Sequence, residues 1–198
     1  MIRLAHPRPG HFDLGTGYHG DVWLDLDALF LRPALLRPHV RWLADRLLEH
    51  RVDAVCGPME GGAFLAQAVA DRLETAFLAA HRVPGPRPGE AAGYRLPHVR
   101  AGIGGWRVAI ADDAVNAGTA VQACAHQVRD GGAVPVAVAA LLPSARPAQP
   151  WRCHCPSTRL TRFQARYGPS ASARYAPAAP RSQTRLRTTE QDVYRGWR

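Results

Sequence analysis

Apolar and polar residues alternate along positions 12–27, on both sides of a glycine-rich centre. This pattern predicts two short strands joined by a turn between Gly15 and Gly20, because side chains of a strand alternate between its two faces. The N-terminal part of the chain is therefore expected to form a β-hairpin.

After this hairpin, helical patterns and short apolar runs follow one another along the chain. Apolar residues at helical spacing predict helices over residues 34–50, 62–73 and 119–130. Short apolar runs predict buried strands over residues 53–56, 76–80, 107–113 and 134–142. This alternation predicts an α/β fold, a parallel sheet flanked by helices with its functional loops at the carboxyl ends of the strands.

Residues 81–105 break the alternation. They are rich in Gly, Pro and Arg and show no periodicity, so we expect a long loop. Loops of this length inside a compact domain are often functional.

The net positive charge of the chain comes entirely from its last part. The formal net charge is +9, and residues 1–142 contain fourteen Arg and fourteen Asp or Glu, so residues 143–198 carry the whole excess. We expect one globular domain over 1–142 and a disordered, basic, Arg- and Pro-rich tail over 143–198. The tail could be an arm for nucleic acid or a membrane surface, a neutral appendage, or out-of-frame translation of GC-rich DNA. The abrupt change after Leu142 favours the last explanation.

The composition also excludes several classes of protein and of chemistry. No apolar run reaches the length of a membrane helix, and the first residues lack the apolar block of a signal peptide, so we expect a cytoplasmic protein. The chain contains no lysine, which excludes chemistry based on a lysine amine. Cys56 and Cys124 are expected in the core, whereas the pair Cys153 and Cys155 lacks the further ligands of a zinc site.

Candidate chemistry is concentrated at the end of the strand over residues 107–113. Asp112 and Asp113 would stand side by side, an arrangement that favours a cation or hydroxyl groups as partners. The small residues that follow would let backbone N–H groups approach a phosphate, and Thr119 opens the next helix. A sugar phosphate would satisfy both features, although a solvated acidic turn with Thr119 as a simple helix cap remains an alternative.

This segment resembles the phosphoribosyl-diphosphate (PRPP) signature of type I phosphoribosyltransferases. The resemblance implies that Asp112 and Asp113 hold the ribose hydroxyls, and magnesium indirectly through PRPP. It also implies a 5′-phosphate loop that consists of Ala114, Val115, Asn116, Ala117, Gly118, Thr119 and Ala120.

Two further segments are similar to parts of the same family. The turn after the strand over 53–56 resembles the family's pyrophosphate loop, which here would consist of Gly57, Pro58, Met59, Glu60, Gly61 and Gly62. The hairpin is similar to the hood that helps to cover the base in orotate phosphoribosyltransferases. Asn116 stands where purine-salvage members carry an Asp as general base, and an amide cannot accept that proton.

The loop over residues 81–105 would be the mobile lid of such an enzyme. Arg82 follows an apolar strand where orotate enzymes carry Arg-Lys, and Val83 replaces the lysine. Arg82 is therefore expected to act in catalysis, and Arg87, Arg95 and Arg100 are further cations that could approach the leaving pyrophosphate.

The resemblance implies a magnesium-dependent phosphoribosyltransferase that joins PRPP to a nitrogenous base, with orotate favoured. The expected cofactor is Mg²⁺, and the expected assembly is a homodimer, with no membrane and no nucleic acid as partner. Two alternatives stay open: a non-catalytic PRPP-binding regulator that lost the lysines, and a nucleic-acid-binding protein that uses the tail.

Overall fold

The computed structural model describes residues 2–13, 18–84, 93–96, 102–115, 118–143, 161–164 and 176–177. The N-terminal hairpin forms as predicted. Strands β1 (Arg8–Asp13) and β2 (Tyr18–Trp23) pair antiparallel, with Arg8 opposite Trp23. The turn was predicted to extend to Gly20, but β2 already begins at Tyr18, and residues 15–17 of the predicted turn lie outside the described residues. The rings of Phe12 and Trp23 pack with their centroids 5.7 Å apart.

The main sheet has six strands in the described part of the chain. Its spatial order is β5-β4-β3-β6-β7-β8, and every neighbouring pair is parallel except β4 with β5. The strands are β3 (Ala54–Pro58), β4 (Ala76–Val83), β5 (Gly93–Arg95), β6 (Arg107–Val115), β7 (Val134–Pro143) and β8 (Thr161–Gln164). The predicted parallel sheet is thus confirmed.

Three α-helices of the described residues cover the two faces of this sheet, and each matches a predicted helix. They are α1 (Pro33–Leu47), α2 (Gly61–Leu73) and α3 (Thr119–Asp130). Helices α1 and α2 pack on one face, and α3 packs on the other. None of the helices in the described part of the chain is long and apolar enough to cross a bilayer.

Side chains of β3, and of β6 from Val108 to Ala111, alternate between two hydrophobic cores. Val55 and Ala109 join the core under α1 and α2, whereas Cys56 and Ile110 join the core under α3. Every residue of β3 is buried, as a parallel strand covered on both faces requires. Cys124 lies in the same α3 core, so both cysteines are core residues as predicted.

The expected loop over residues 81–105 is partly regular structure, and the prediction of a featureless loop is wrong there. Strand β4 continues to Val83, and β5 returns antiparallel to it, with Arg82 opposite Tyr94. Leu96 and Ile103 are buried in the α3 core. Local sequence gave no sign of this pairing, because the last three residues of β4 are all exposed and show no alternation.

The predicted tail also contains strands. Thr161–Gln164 forms β8, which pairs in parallel with β7, and Ala176–Pro177 forms β9, which pairs with β2 of the hairpin. In these two stretches the structure has strands, where the sequence predicted a disordered tail. The other residues of 143–198, apart from Pro143 in β7, lie outside the described residues, and their predicted disorder stays a prediction.

Candidate active site

The acid pair lies near the carboxyl end of β6, the strand next to the buried β3. Strand alternation places Asp112 in the row of Ile110, which faces α3, and Asp113 in the row of Ala111, which faces α1 and α2. Asp112 is only 7% exposed and is the one buried charged residue among the described side chains, while Asp113 is half-buried. Two carboxylates are thus held near the carboxyl end of an inner strand, with little access to water.

Burial raises the pKa of both carboxyl groups. The pKa of Asp112 is raised well above its usual range by desolvation and then by the neighbouring charge of Asp113. Desolvation also raises the pKa of Asp113, and Asp27, in a short 3₁₀ helix after the hairpin, adds to that effect. The pair therefore favours a proton, a cation or hydroxyl donors as partners.

Backbone groups hold the two carboxylates in place. The N–H of Asp113 donates to Oδ1 of Asp112 at 3.1 Å, and the N–H of Ala114 donates to Oδ1 of Asp113 at 2.6 Å. Ala114 and Val115 were expected in the phosphate loop, but they belong to β6, opposite Leu142 and Pro143 of β7. The loop is accordingly shorter than predicted, because the ladder with β7 extends the strand past the acids.

The predicted pyrophosphate loop packs directly against the acid pair. A Cβ built on Gly61 would overlap Oδ2 of Asp113, and one built on Gly62 would stand 2.7 Å from Oδ1 of Asp112. Only glycine fits at these two positions without movement of the acids. Two segments that are about fifty residues apart along the chain therefore meet at one point of the structure.

The rest of this loop is a tight connection between β3 and α2. A Cβ on Gly57 would clash with the backbone carbonyl of Gly62, so the loop closes on its own start. Pro58 is buried at the end of β3, and the Met59–Glu60 peptide bond is cis. The side chains of Met59 and Glu60 are exposed, so the loop presents its backbone and these two residues at the site.

On the other side of the acid pair, α3 begins at Thr119. Its N-cap is Gly118, which adopts a left-handed conformation with φ of 80°. The alternative in which Thr119 is a simple helix cap is therefore wrong. Thr119 is exposed and Ala120 is half-buried, whereas Asn116 and Ala117 lie outside the described residues.

Arg82 lies across β3 from the acids, on the same face of the sheet as Asp112. It continues the row of Leu78 and Ala80 on β4, both of which contact the α3 core, and its own side chain is exposed. Of the further lid arginines, Arg95 is exposed on β5, while Arg87 and Arg100 lie outside the described residues.

Tyr94 is a residue of this site that the sequence analysis missed. It is half-buried against the α3 core and sits opposite Arg82 in the β4–β5 pair. Burial raises the pKa of its phenol first, and the nearby Asp112 and Asp113 raise it further, while Arg82 acts in the opposite direction. Only the strand register brings Tyr94 to the site, so no local signal could have identified it.

Magnesium was predicted to bind through PRPP rather than on the protein alone, and the residues present fit that arrangement. Among the described residues, no three His, Cys, Asp or Glu side chains are grouped so that they could hold a metal ion by themselves. The two crowded carboxylates of Asp112 and Asp113 nevertheless favour a nearby cation or a diol.

Comparison with solved structures identifies the fold. Orotate phosphoribosyltransferase from Aeropyrum pernix superposes with a TM-score of 0.58 over 82% of this chain and 89% of its own, at 21% identity. Adenine phosphoribosyltransferase from Rhodothermus marinus gives a TM-score of 0.57 over 72% of this chain and 84% of its own, at 22% identity. The chain has the type I phosphoribosyltransferase fold. At these identities the structures establish the fold alone.

Sequence comparison narrows the resemblance to one branch of that fold. Orotate phosphoribosyltransferase of Caldanaerobacter subterraneus is 29% identical over 133 residues, which cover 67% of this chain and 66% of the relative. The enzyme of the same name from Caulobacter vibrioides is 26% identical over 137 residues, or 68% of this chain and 67% of its own. The chain spans about two thirds of the length of these curated relatives. No model of a protein family matches it.

Proposed function

We propose that this protein transfers the phosphoribosyl group of PRPP to a nitrogenous base and releases pyrophosphate, with orotate as the favoured base. The observation that carries the proposal is the contact of Gly61 and Gly62 with the carboxylates of Asp113 and Asp112. A turn able to hold a diphosphate and a pair of acids able to hold a ribose diol lie side by side. PRPP contains both groups at adjacent carbons of one sugar.

The positions of the residues support the roles that the family resemblance implies. The carboxylates of Asp112 and Asp113 accept hydrogen bonds from the ribose 2′ and 3′ hydroxyls. The backbone between Pro58 and Gly62 holds the diphosphate at the start of α2, and the start of α3 holds the 5′-phosphate through Gly118 and Thr119. The sugar is thus fixed at both ends.

Charge on the departing pyrophosphate must be balanced as its bond to the sugar breaks. Magnesium bound with PRPP, near Asp112 and Asp113, would neutralise part of that charge. Arg82 supplies a guanidinium on the opposite side, which can pair with the developing negative charge. Because the chain has no lysine, Arg82 is the cation that would stabilise the leaving pyrophosphate in place of a lysine amine.

The preference for orotate rests on the names of the curated relatives and on Asn116, which lies outside the described residues. An amide at that position cannot act as a general base toward a purine. A homodimer, which the resemblance implies, and a cytoplasmic location, which the composition predicts, remain predictions.

The test measures pyrophosphate release by the full-length protein with PRPP, Mg²⁺ and either orotate or a panel of other bases. Release with orotate alone is the expected result, and the double variant Asp112→Asn with Asp113→Asn should abolish it. The double variant Asp45→Asn with Asp71→Asn makes the same charge change at exposed positions of α1 and α2 and should keep it.

Other outcomes separate the alternatives. Release with a different base would overturn the orotate assignment and keep the reaction. A folded protein that binds PRPP and releases no pyrophosphate with any base would be a PRPP-binding regulator, and the proposed activity would be wrong. A folded protein that does not bind PRPP would overturn the whole proposal.

A second experiment addresses Arg82 by replacing it with Gln. We expect the turnover rate to fall about a hundredfold, as when one donor to a developing negative charge is removed. Arg72→Gln, at an exposed position in the last turn of α2, is the matched control and should leave the rate unchanged. Equal rates for the two variants would remove Arg82 from the mechanism.

A further inference from the structure

The pair of strands β4 and β5 forms one wall of the candidate site, facing the acid pair across β3. Ala80 of β4 is level with Pro58 of β3, and Cys56 of β3 is level with Ile110 of β6, two residues before Asp112. Neighbouring strands are about 4.8 Å apart, so the β4 and β6 backbones stand about 10 Å apart with the end of β3 between them. The glycine-rich turn begins at this gap, because it follows directly from Pro58, the last residue of β3.

Two polar side chains of this wall belong to one cross-strand pair. Arg82 and Tyr94 are directly opposite each other, and directly opposed side chains of an antiparallel pair lie on the same face. Arg82 continues the row of Leu78 and Ala80, so this is the α3 face, which also carries Asp112. The ring of Tyr94 packs on the α3 core, and this packing restricts where its hydroxyl can go.

Charge around the phenol favours a role as a donor. A phenol is protonated at neutral pH, and burial and the acids raise the pKa of Tyr94 further, against formation of a phenolate. A protonated phenol beside a guanidinium offers two kinds of donor to one anion. Since the chain contains no lysine, Tyr94 adds a neutral donor beside the guanidinium of Arg82.

We propose that Tyr94 is a further substrate-binding residue, whose hydroxyl donates a hydrogen bond to the diphosphate oxygens held between the turn at Gly61 and the side chain of Arg82. This inference rests on the proposed function, because it takes the ligand to be a diphosphate. It gives β5 a role beyond covering the sheet edge. The diphosphate would be held by backbone N–H groups below, a guanidinium on one side and a phenol beside it.

The test measures the affinity of the full-length protein for inorganic pyrophosphate with Mg²⁺, by calorimetry, in the wild type and in Tyr94→Phe. Removal of one hydrogen bond to a charged group should weaken binding about tenfold, with the ring and its packing retained. His81→Gln changes an exposed side chain on the other face of the same strand pair and should bind as the wild type does. Thermal unfolding of each variant checks that it is folded.

A rescue variant separates hydrogen bonding from packing. Tyr94→His keeps a ring with an N–H donor and should recover part of the affinity lost in Tyr94→Phe. If Tyr94→Phe does not fold, Tyr94→His decides alone. Its affinity relative to the wild type should rise between pH 8 and pH 6, as the imidazole gains charge, and equal pH dependence would overturn the inference.

The outcomes also separate this inference from the proposed function. A wild-type protein that binds pyrophosphate and transfers phosphoribosyl groups, together with a Tyr94→Phe variant of unchanged affinity, would overturn the role of Tyr94 alone. A wild-type protein that binds neither pyrophosphate nor PRPP would overturn both.

Discussion

Gly62 lies so close to Asp112 that a Cβ on the glycine would stand 2.7 Å from the carboxylate Oδ1. The start of α2 and the end of β6 are therefore fitted to each other at the atomic level. Any side chain at position 62 must displace either Asp112 or Pro58, whose ring carbon is equally close at 2.7 Å.

Replacement of Gly62 by Ala should consequently impair both stability and ligand binding. We expect a loss of about 1–3 kcal/mol in the free energy of unfolding, as for other overpacked sites, and weaker PRPP binding because Asp112 moves. Chemical denaturation and calorimetry with PRPP measure the two effects. Gly102→Ala is the control, since nothing lies within 4 Å of a Cβ there. Equal behaviour of the two variants would contradict the close fit.

Asp112→Asn should stabilise the protein at neutral pH while it abolishes activity. A raised pKa means that the folded state holds its proton more tightly than the unfolded state. The wild type therefore loses stability as the pH rises from about 4, the ordinary pKa of Asp, through the raised pKa of the folded state. The amide variant has no such loss at this position, because it carries no ionisable group there.

The measurement for this prediction is the midpoint of thermal unfolding of both proteins, without ligand, from pH 4 to pH 8. The advantage of the variant should be small at pH 4 and should grow as the pH increases. Asp71→Asn, on the exposed surface of α2, should show no such trend. A constant difference across this range would show that the carboxyl of Asp112 is not destabilised by burial.

Thr75→Val should raise the free energy of unfolding by about 1 kcal/mol. The hydroxyl oxygen of Thr75 is buried just before β4, and it has no hydrogen-bond partner among the residues that the structure describes. Valine has nearly the same shape and removes the unsatisfied polar atom. Denaturant unfolding measures the change, and Thr75→Ser, which keeps the hydroxyl and loses the methyl group, should be less stable than either. A destabilised valine variant would indicate that the hydroxyl has a partner.

Deletion of residues 144–198 should destabilise the domain. It removes β8, whose residues Thr161–Gln164 pair with Ala137–Ala140 in the buried strand β7. The loss of this ladder should cost about 2 kcal/mol or more and should lower the midpoint of thermal unfolding. Deletion of residues 178–198 leaves every described strand in place and serves as the control. Equal stability of both truncated proteins would favour the view that the tail contributes nothing to the fold.

Helices and central strands could be predicted from the sequence because their signals are local. The apolar rows of α1, α2 and α3 and the apolar runs of β3 and β7 directly reflect the faces that they bury. The acid pair was identified for a similar reason, since two adjacent carboxylates after an apolar strand are unusual within a short segment.

Features that depend on pairing between distant segments could not be predicted. The extension of β4 to Val83, the strand β5 and the placement of Tyr94 all depend on a backbone ladder between residues 81–83 and 93–95. Ala114 and Val115 join β6 because β7 pairs with them, and β8 joins the sheet through backbone hydrogen bonds. The hydrogen bonds of such a ladder join backbone groups and are compatible with many different side chains, so composition alone gives no sign of them.

The separation between the two walls of the candidate site is fixed by main-chain geometry. Both β4 and β6 are hydrogen-bonded to the same buried strand, β3, so their distance equals two strand spacings whatever side chains they carry. Substitutions at Arg82, Tyr94 or Asp112 can shorten or lengthen the reach of a side chain, but they cannot widen the gap. The site could accommodate ligands of different length only if the segments beyond the strand ends moved, because the distance between β4 and β6 stays constant.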